Sequence, residues 1–282
     1  MTCLSAPTLK LLNSASLVGL SGGLRLYLAF LLAAIAPNLL LVVASSLIIY
    51  ATYTLDRALD NKEDEINHQE YAGANRLAGL AACGVAILIG VSIFFSNSLF
   101  SPPVFPFVVG ILYSQGIPFR GGTVKLKGGF GVKNLVIGLT WGGTIGLVIL
   151  SSGQVLAGMV LALYFGIKLF INSTIFDLKD VKGDLAAGIR TLPVVLGERK
   201  LKYLLFSLCI FQHLVLALAM WADILVSYEI FFLYSLIASA MVIVLYTPAW
   251  ETSPSPIKRK FRIFVINGEP IILVLLSMFR PG

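Results

Sequence analysis

Residues 155–184 read VLAGMVLALYFGIKLFINSTIFDLKDVKGD: an apolar run from Val155 to Phe176 that passes directly into Asp177, Asp180 and Asp184. About 20 apolar residues cross a bilayer as a helix, so this stretch reads as a membrane span with a carboxylate-rich end. If the helix continues into its loop, the three aspartates stand at i, i+3 and i+7 on one stripe. Lys168 and Asn172 precede them at helical spacing. A charge inside an apolar span requires a polar cavity and a partner. For Lys168 the choices are an anionic ligand such as a diphosphate, or snorkelling, which works best near a helix end. Aligned hard oxygen donors suit Mg²⁺, which keeps several waters and is completed by substrate phosphates.

The rest of the chain has the same character. With 57% hydrophobic and 12% charged residues among 282, there is too little polar surface for a soluble domain of this size. Residues 1–282 read as a single all-α transmembrane bundle of about nine helices. The spans are about Leu17–Ala36, Leu39–Leu55, Leu77–Phe95, Val104–Ser114, Asn134–Ser151, Val155–Phe176, Tyr203–Met220, Tyr228–Tyr246 and Phe261–Phe279. Pro37 and Asn38 form the first outer turn, and Pro102 and Pro103 open the fourth span.

Loop charge supports this layout independently. Lys and Arg fall between spans two and three (Arg57, Lys62, Arg76) and between four and five (Arg120, Lys125, Lys127, Lys133). They return between six and seven (Lys179, Lys182, Arg190, Arg199, Lys200, Lys202) and between eight and nine (Lys258, Arg259, Lys260). Alternate loops carry neither residue. Cytoplasmic loops are the basic ones, so the expected protein is multi-pass, with its charged loops on the cytoplasmic side. The net charge of +7 is then a topology signal. It does not point to nucleic acid, since no basic patch is interleaved with base-stacking aromatics. The opening MTCLSAPTLK lacks the basic start, short apolar core and small-residue cleavage site of a targeting peptide, so none is expected. Cys3, Cys83 and Cys209 read as structural thiols, and His68 and His213 show no metal-ligand spacing.

A second acidic run, DRALDNKEDEIN, follows the second span and places Asp56, Asp60 and Asp64 at i, i+4 and i+8. That spacing drifts only about 80° around a helix. Arg57 lies off this face. Glu63, Glu65 and Glu70 add like charge, which bound cations would relieve. Arg25 in the first span either reaches a polar ligand or sits near the interface. Glu269 is an intramembrane carboxylate, explained equally by ligand polarity or by a structural hydrogen bond. Asp223 and Glu229, at the outer ends, read as solvated.

At this point the chain resembles a known family. DLKDVKGDLAAGIRTLPVVLG is similar to the second aspartate-rich motif of the UbiA superfamily of intramembrane prenyltransferases, including Gly188, Thr191, Leu192 and Pro193 after the Asp triplet. DRALDNKEDEIN resembles a variant of the family's first motif, Asn-Asp-x-x-Asp-x-x-x-Asp, with Ile66 and Asn67 also in place. Tyr113, Ser114, Lys125, Lys127, Lys133 and Asn134 resemble the family's intervening loop. Motif order covers about two-thirds of the chain, and nine spans agree with the family's bundle. One departure stands out: Asp56 and Arg57 replace the usual Asn then Asp. Asp56 still offers an oxygen, whereas Arg57 removes one carboxylate and becomes a candidate phosphate ligand, which bears on the number of metals.

The resemblance implies Mg²⁺-dependent transfer of a prenyl chain from an allylic prenyl diphosphate to an acceptor, aromatic or lipid-like, within the membrane. Asp56, Asp60, Asp64, Asp177, Asp180 and Asp184 are the implied metal ligands, with Asp56, Asp60, Asp177 and Lys168 closest to the chemistry. Arg120, Lys125, Lys127, Lys133 and Lys168 are candidate clamps on the diphosphate, and Tyr113, Asn134, Asn172, Arg57 and Arg25 are further substrate contacts. Tyr50, Tyr53, Tyr113, Trp141 and Phe165 either stabilise an allylic cation through their rings or pack as ordinary membrane aromatics. Two other functions fit part of the pattern: a terpene cyclase acting without acceptor, and a non-enzymatic cation or lipid transporter. Transporters place coupling-ion sites near the midplane, whereas these acidic runs lie at span ends.

Overall fold

A chain in hydrocarbon finds no water for its amides and satisfies them within helices. The computed structural model describes residues 5–58, 73–115, 117–119, 122–124, 131–178, 181, 190–246 and 256–278, without the side chains of Asp56 and of residues 110–119, 122–124, 246, 256–260 and 262. In chain order the elements are α1 (Ala6–Asn13), α2 (Ser16–Leu32), α3 (Leu39–Ala58), α4 (Arg76–Ser96), α5 (Ser101–Gln115), β1 (Ile117–Phe119), β2 (Gly122–Val124), α6 (Val132–Ser151), α7 (Val155–Asp177), α8 (Leu192–Trp221), α9 (Glu229–Tyr246) and α10 (Pro256–Ser277). Each expected span falls on one of α2 to α10. Five stretches, Ala6–Leu32, Arg76–Ser96, Val132–Ser151, Val155–Asp177 and Leu192–Trp221, are long and apolar enough to cross a membrane, and α3, α9 and α10 contain shorter apolar helices. The protein is an all-α, multi-pass integral membrane protein.

Three local features depart from the sequence reading. The short helix α1 precedes the first span. β1 and β2 pair antiparallel, Ile117 opposite Val124 and Phe119 opposite Gly122. Helix α8 begins at Leu192, well ahead of the expected Tyr203, with Pro193 in its first turn and a kink at Gly197, whose φ of 68° takes it out of helix. Proline is pre-organised for a helix start, and glycine alone adopts that φ without strain.

The chain divides into two compact units, Met1–Tyr27 with Pro37–Phe100, and Leu28–Ala36 with Ser101–Gly282. In the first, close approach is set by small residues. A Cβ on Gly19 would lie 2.8 Å from the Ser46 carbonyl, and one on Gly23 2.5 Å from that of Val42. Asn38 accepts from the amides of Leu40 and Leu41 at 3.0 and 3.2 Å, capping α3, and donates to Asn97 at the end of α4 at 3.0 Å. Past α4 the chain reverses through Ser98, at φ 60°, with the Leu99 amide bonded back to Phe94. Left-handed backbone strains a residue with a Cβ. Ser98→Gly is therefore expected to stabilise the fold by about 0.5–1 kcal/mol, read as a higher midpoint in detergent thermal unfolding.

In the second unit α6 and α7 form a hairpin through Ser152, Gly153 and Gln154, with Gly153 at φ 83°. Its inner face is built of small residues one turn apart. A Cβ on Gly138 would sit 2.5 Å from the Gly166 carbonyl, one on Gly142 2.5 Å from that of Ala162, and one on Gly146 2.8 Å from that of Gly158. The pairing order 138–166, 142–162, 146–158 is antiparallel. Small residues let membrane helices touch backbone to backbone, where dispersion and weak hydrogen bonds replace the absent hydrophobic drive. Around α7, an apolar core of Ile171, Ile175, Leu192, Leu201, Leu205, Cys209, Val242, Ile243 and Ile266 joins α8, α9 and α10. The outward faces stay apolar, with Leu156 at 62% and Ile210 at 63% exposure, as a lipid-facing surface requires.

Candidate functional site

The α6–α7 hairpin brings its two open ends together. Lys133 and Asn134 start α6 and Asp177 ends α7. The Asp177 carboxylate is nearly buried, at 4% exposure. Its Oδ2 accepts from Asn134 Nδ2 at 2.8 Å, and its Oδ1 accepts from Lys133 Nζ at 3.1 Å. Asn134, 1% exposed, also donates to Ser173 Oγ at 3.2 Å. Both carboxylate oxygens are thus held in fixed directions, each with a lone pair to spare. Lys133 is more than half exposed, so its contact is the weaker restraint. Such hydrogen-bonded support is what orients a carboxylate ligand for a metal.

One turn inside this end, Asn172 is buried at 7% exposure, and its Nδ2 has no hydrogen-bond partner. An unpaired buried donor costs about 1–3 kcal/mol. It suits an anionic oxygen and not a cation, which fits the substrate-contact role expected for Asn172.

Lys168 corrects the sequence reading. Its ammonium does not await a phosphate: it donates to Glu269 Oε1 at 2.6 Å, to Ser239 Oγ at 2.6 Å and to Ser235 Oγ at 3.4 Å. Ser235 Oγ bonds in turn to Tyr164 Oη at 2.6 Å. The pair is buried on both sides, and Lys168 lies about 13 Å along the helix axis from Asp177. Glu269 finds its explanation here too, as one end of an internal ion pair. Nothing in α7 alone signals this partner, because the two serines and the glutamate come from α9 and α10. Ser235 and Ser239, spaced by one turn in an apolar span, are the sequence clue.

Other expected residues are distributed as follows. Arg25 is buried in α2 and donates to Ser21 Oγ at 2.6 Å. Arg57 closes α3, with its Nη1 buried and without a hydrogen-bond partner. Trp141 and Phe165 are packed in the interior, Phe165 against the Tyr164 ring at 5.0 Å between centroids. Tyr50 and Tyr53 are half-buried on α3, and Asp223 and Glu229 are exposed. Asp60, Asp64, Arg120, Lys125, Lys127, Asp180 and Asp184, and the side chains of Asp56 and Tyr113, lie outside the described residues. Among the described residues no group of three His, Cys, Asp or Glu side chains is arranged to hold a metal.

Comparison with known proteins fits this architecture. The model of the UbiA prenyltransferase family matches residues 27–268. The chain is 32% identical over 144 residues to digeranylgeranylglyceryl phosphate synthase of Halobacterium salinarum, a match covering 50% of each protein; it therefore spans about half the length of the curated relative. Among solved structures, a UbiA homologue from Aeropyrum pernix K1 superposes with a TM-score of 0.63 at 14% identity, over 93% of this chain and 98% of that one. A UbiA homologue from Archaeoglobus fulgidus, bound to GPP and Mg²⁺, gives 0.60 at 11% identity, over 95% and 99%. At these identities the superpositions speak for the fold, and the family model for the descent. The chain belongs to the UbiA prenyltransferase family.

Proposed function

We propose that this protein transfers a prenyl chain from an allylic prenyl diphosphate to an acceptor within the membrane, with Mg²⁺ as cofactor, and that residues 1–282 act as one prenyltransferase domain. The observation that carries this reading is the Asp177 carboxylate, buried at the open end of the α6–α7 hairpin and aimed by Asn134 and Lys133. Its donor chemistry fits a hard divalent cation. The Archaeoglobus homologues bound to GPP or DMAPP with Mg²⁺ support the same cofactor here. Asp56, Asp60, Asp64, Asp177, Asp180 and Asp184 would hold Mg²⁺, which when bound neutralises the diphosphate and lowers the cost of its departure.

The chain's own residues supply the rest. Asn172 Nδ2 donates to a diphosphate oxygen, relieving its unpaired state, while Lys133, Arg120, Lys125 and Lys127 provide charge near the leaving group. Asn134 keeps the Asp177 oxygens pointed at one position. Packed apolar walls keep water from the allylic carbon. The matched relative is named for a glyceryl phosphate product, which favours a lipid-like acceptor over an aromatic one. The basic loops favour placing the site on the cytoplasmic face.

The test is release of diphosphate and labelled prenyl product from proteoliposomes given allylic diphosphates of graded length and candidate acceptors, with and without Mg²⁺. Mg²⁺-dependent product requiring an acceptor is expected. Hydrocarbon formed without acceptor means a cyclase, and flux of unchanged lipid with no diphosphate release means a transporter. Within the same assay, Asn134→Leu, which leaves Asp177 unsupported, is expected to raise the Mg²⁺ concentration for half-maximal rate about 10–100-fold.

A further inference from the structure

The glycine face between α6 and α7 fixes how closely these helices approach, but it is nearly self-similar. Gly138, Gly142 and Gly146 oppose Gly166, Ala162 and Gly158 at one-turn intervals. Sliding one helix by a turn, about 5.4 Å, would again set small residue against small residue. Smooth, glycine-rich contacts specify register weakly, as they do in strands. Something else has to set the height of α7.

Two polar anchors do contact α7. One is the Asp177 contact with Asn134 and Lys133. The other is the mid-span cluster, where Tyr164 and Lys168, one turn apart on α7, meet Ser235 and Ser239, one turn apart on α9, and Glu269 on α10. Lys168 has three N–H groups and three acceptors, so its hydrogen-bonding capacity is used up by the protein. Ser235 joins the Tyr164 hydroxyl to the Glu269 carboxylate, at 2.6 and 3.2 Å. Moving α7 by a turn in either direction would strip a buried ammonium of every partner in an apolar bundle, an expensive state. The apolar core on the same helix, by contrast, tolerates repacking.

We infer that the Lys168–Glu269 pair with Ser235 and Ser239 is a positioning device for the proposed reaction: it fixes the axial height and rotation of α7 so that Asp177 arrives opposite Asn134. Lys168 acts through Asp177 and touches neither substrate nor metal. The inference rests on the proposed function for its kinetic consequence and on the hairpin alone for its geometric one.

The experiment uses the full chain in proteoliposomes and compares wild type, Lys168→Met and Lys168→Met/Glu269→Leu. Lys168→Met leaves an unpaired buried carboxylate and lowers the unfolding midpoint. The double variant removes both charges and recovers that midpoint, as replacement of buried pairs by apolar residues does. Both variants are expected to need at least about tenfold more Mg²⁺ for half-maximal turnover, with the acceptor KM unchanged. Register is read separately, without turnover, in a background lacking Cys3, Cys83 and Cys209. The pair Asn134→Cys/Ser173→Cys is joined by a short bifunctional thiol reagent, and coupling is expected to slow several-fold when the ion pair is absent. A double variant with wild-type coupling and wild-type Mg²⁺ requirement overturns the inference and makes the cluster purely structural. If wild type never releases diphosphate yet coupling still depends on the ion pair, the proposed function fails and the positioning role stands. Ser239→Ala, which removes an anchor without removing a charge, carries the same readouts if the double variant is not recovered folded: slower coupling supports the inference, and unchanged coupling overturns it.

Discussion

Asp177→Ala removes turnover, with a loss of at least about 100-fold, while leaving a folded protein. The carboxylate is 4% exposed and carries the hydrogen bonds that order the charged end of α7. Truncation leaves Asn134 its bond to Ser173 and leaves Lys133 to solvent, so the stability loss stays within about 1–3 kcal/mol. Asp177→Asn separates charge from shape. It keeps the size and one acceptor oxygen, so it melts near wild type, yet it lacks the anionic oxygen pair a divalent cation needs and turns over no faster than the alanine variant. Initial rates of diphosphate release at saturating prenyl diphosphate, paired with thermal unfolding in detergent, check both. A rate within a few-fold of wild type for either variant removes Asp177 from the metal site.

Gly142→Leu prevents assembly of the bundle. A Cβ at Gly142 would lie 2.5 Å from the Ala162 carbonyl and 2.6 Å from both the amide and the Cα of Gly166. All three are main-chain atoms, so no rotamer change relieves the overlap, and the helices must separate along their whole interface. Overpacking commonly costs about 1–3 kcal/mol where side chains can yield; here the loss exceeds that range. Gly84→Leu is the matched control, since nothing lies within 4 Å of a Cβ there. Size-exclusion recovery after solubilisation is expected to fall to background for Gly142→Leu and to hold for Gly84→Leu. Equal recovery of the two would show that the close helix contact is dispensable.

Much of this architecture was legible in the sequence because hydropathy is a local signal. Nine apolar runs, read against a 20-residue span, each found a helix. The features that escaped the reading are those hydropathy does not encode. Helix α1 is too short to register as a span, although its Thr8 Oγ1 accepts from the Asn75 amide at 2.9 Å and so anchors the start of α4. The early start of α8 at Leu192 is hidden by a polar first stretch and by the break at Gly197.

In the candidate site, Asp177, Lys133 and Asn134 were legible through their resemblance to family motifs, and the structure brings these three together. Lys168 was recognised as anomalous but matched to the wrong partner. A charge in a span announces that it needs a counterpart, yet which counterpart depends on helices far away in the chain. The period-four glycines at 138, 142 and 146 carry the packing of α6 on α7, a pattern that an average of hydropathy erases.

The claim at the centre is that the acidic run at Asp56, Asp60 and Asp64 and the run at Asp177, Asp180 and Asp184 serve one metal-diphosphate site. Mg²⁺-dependent binding of geranyl diphosphate to the purified protein, measured by titration calorimetry across wild type, Asp60→Ala, Asp177→Ala and the double variant, tests it most directly. A shared site predicts that either single substitution abolishes the Mg²⁺-dependent component and that the double variant is no worse, a strongly non-additive cycle. Losses that multiply independently, or a single variant that binds as wild type does, would contradict it.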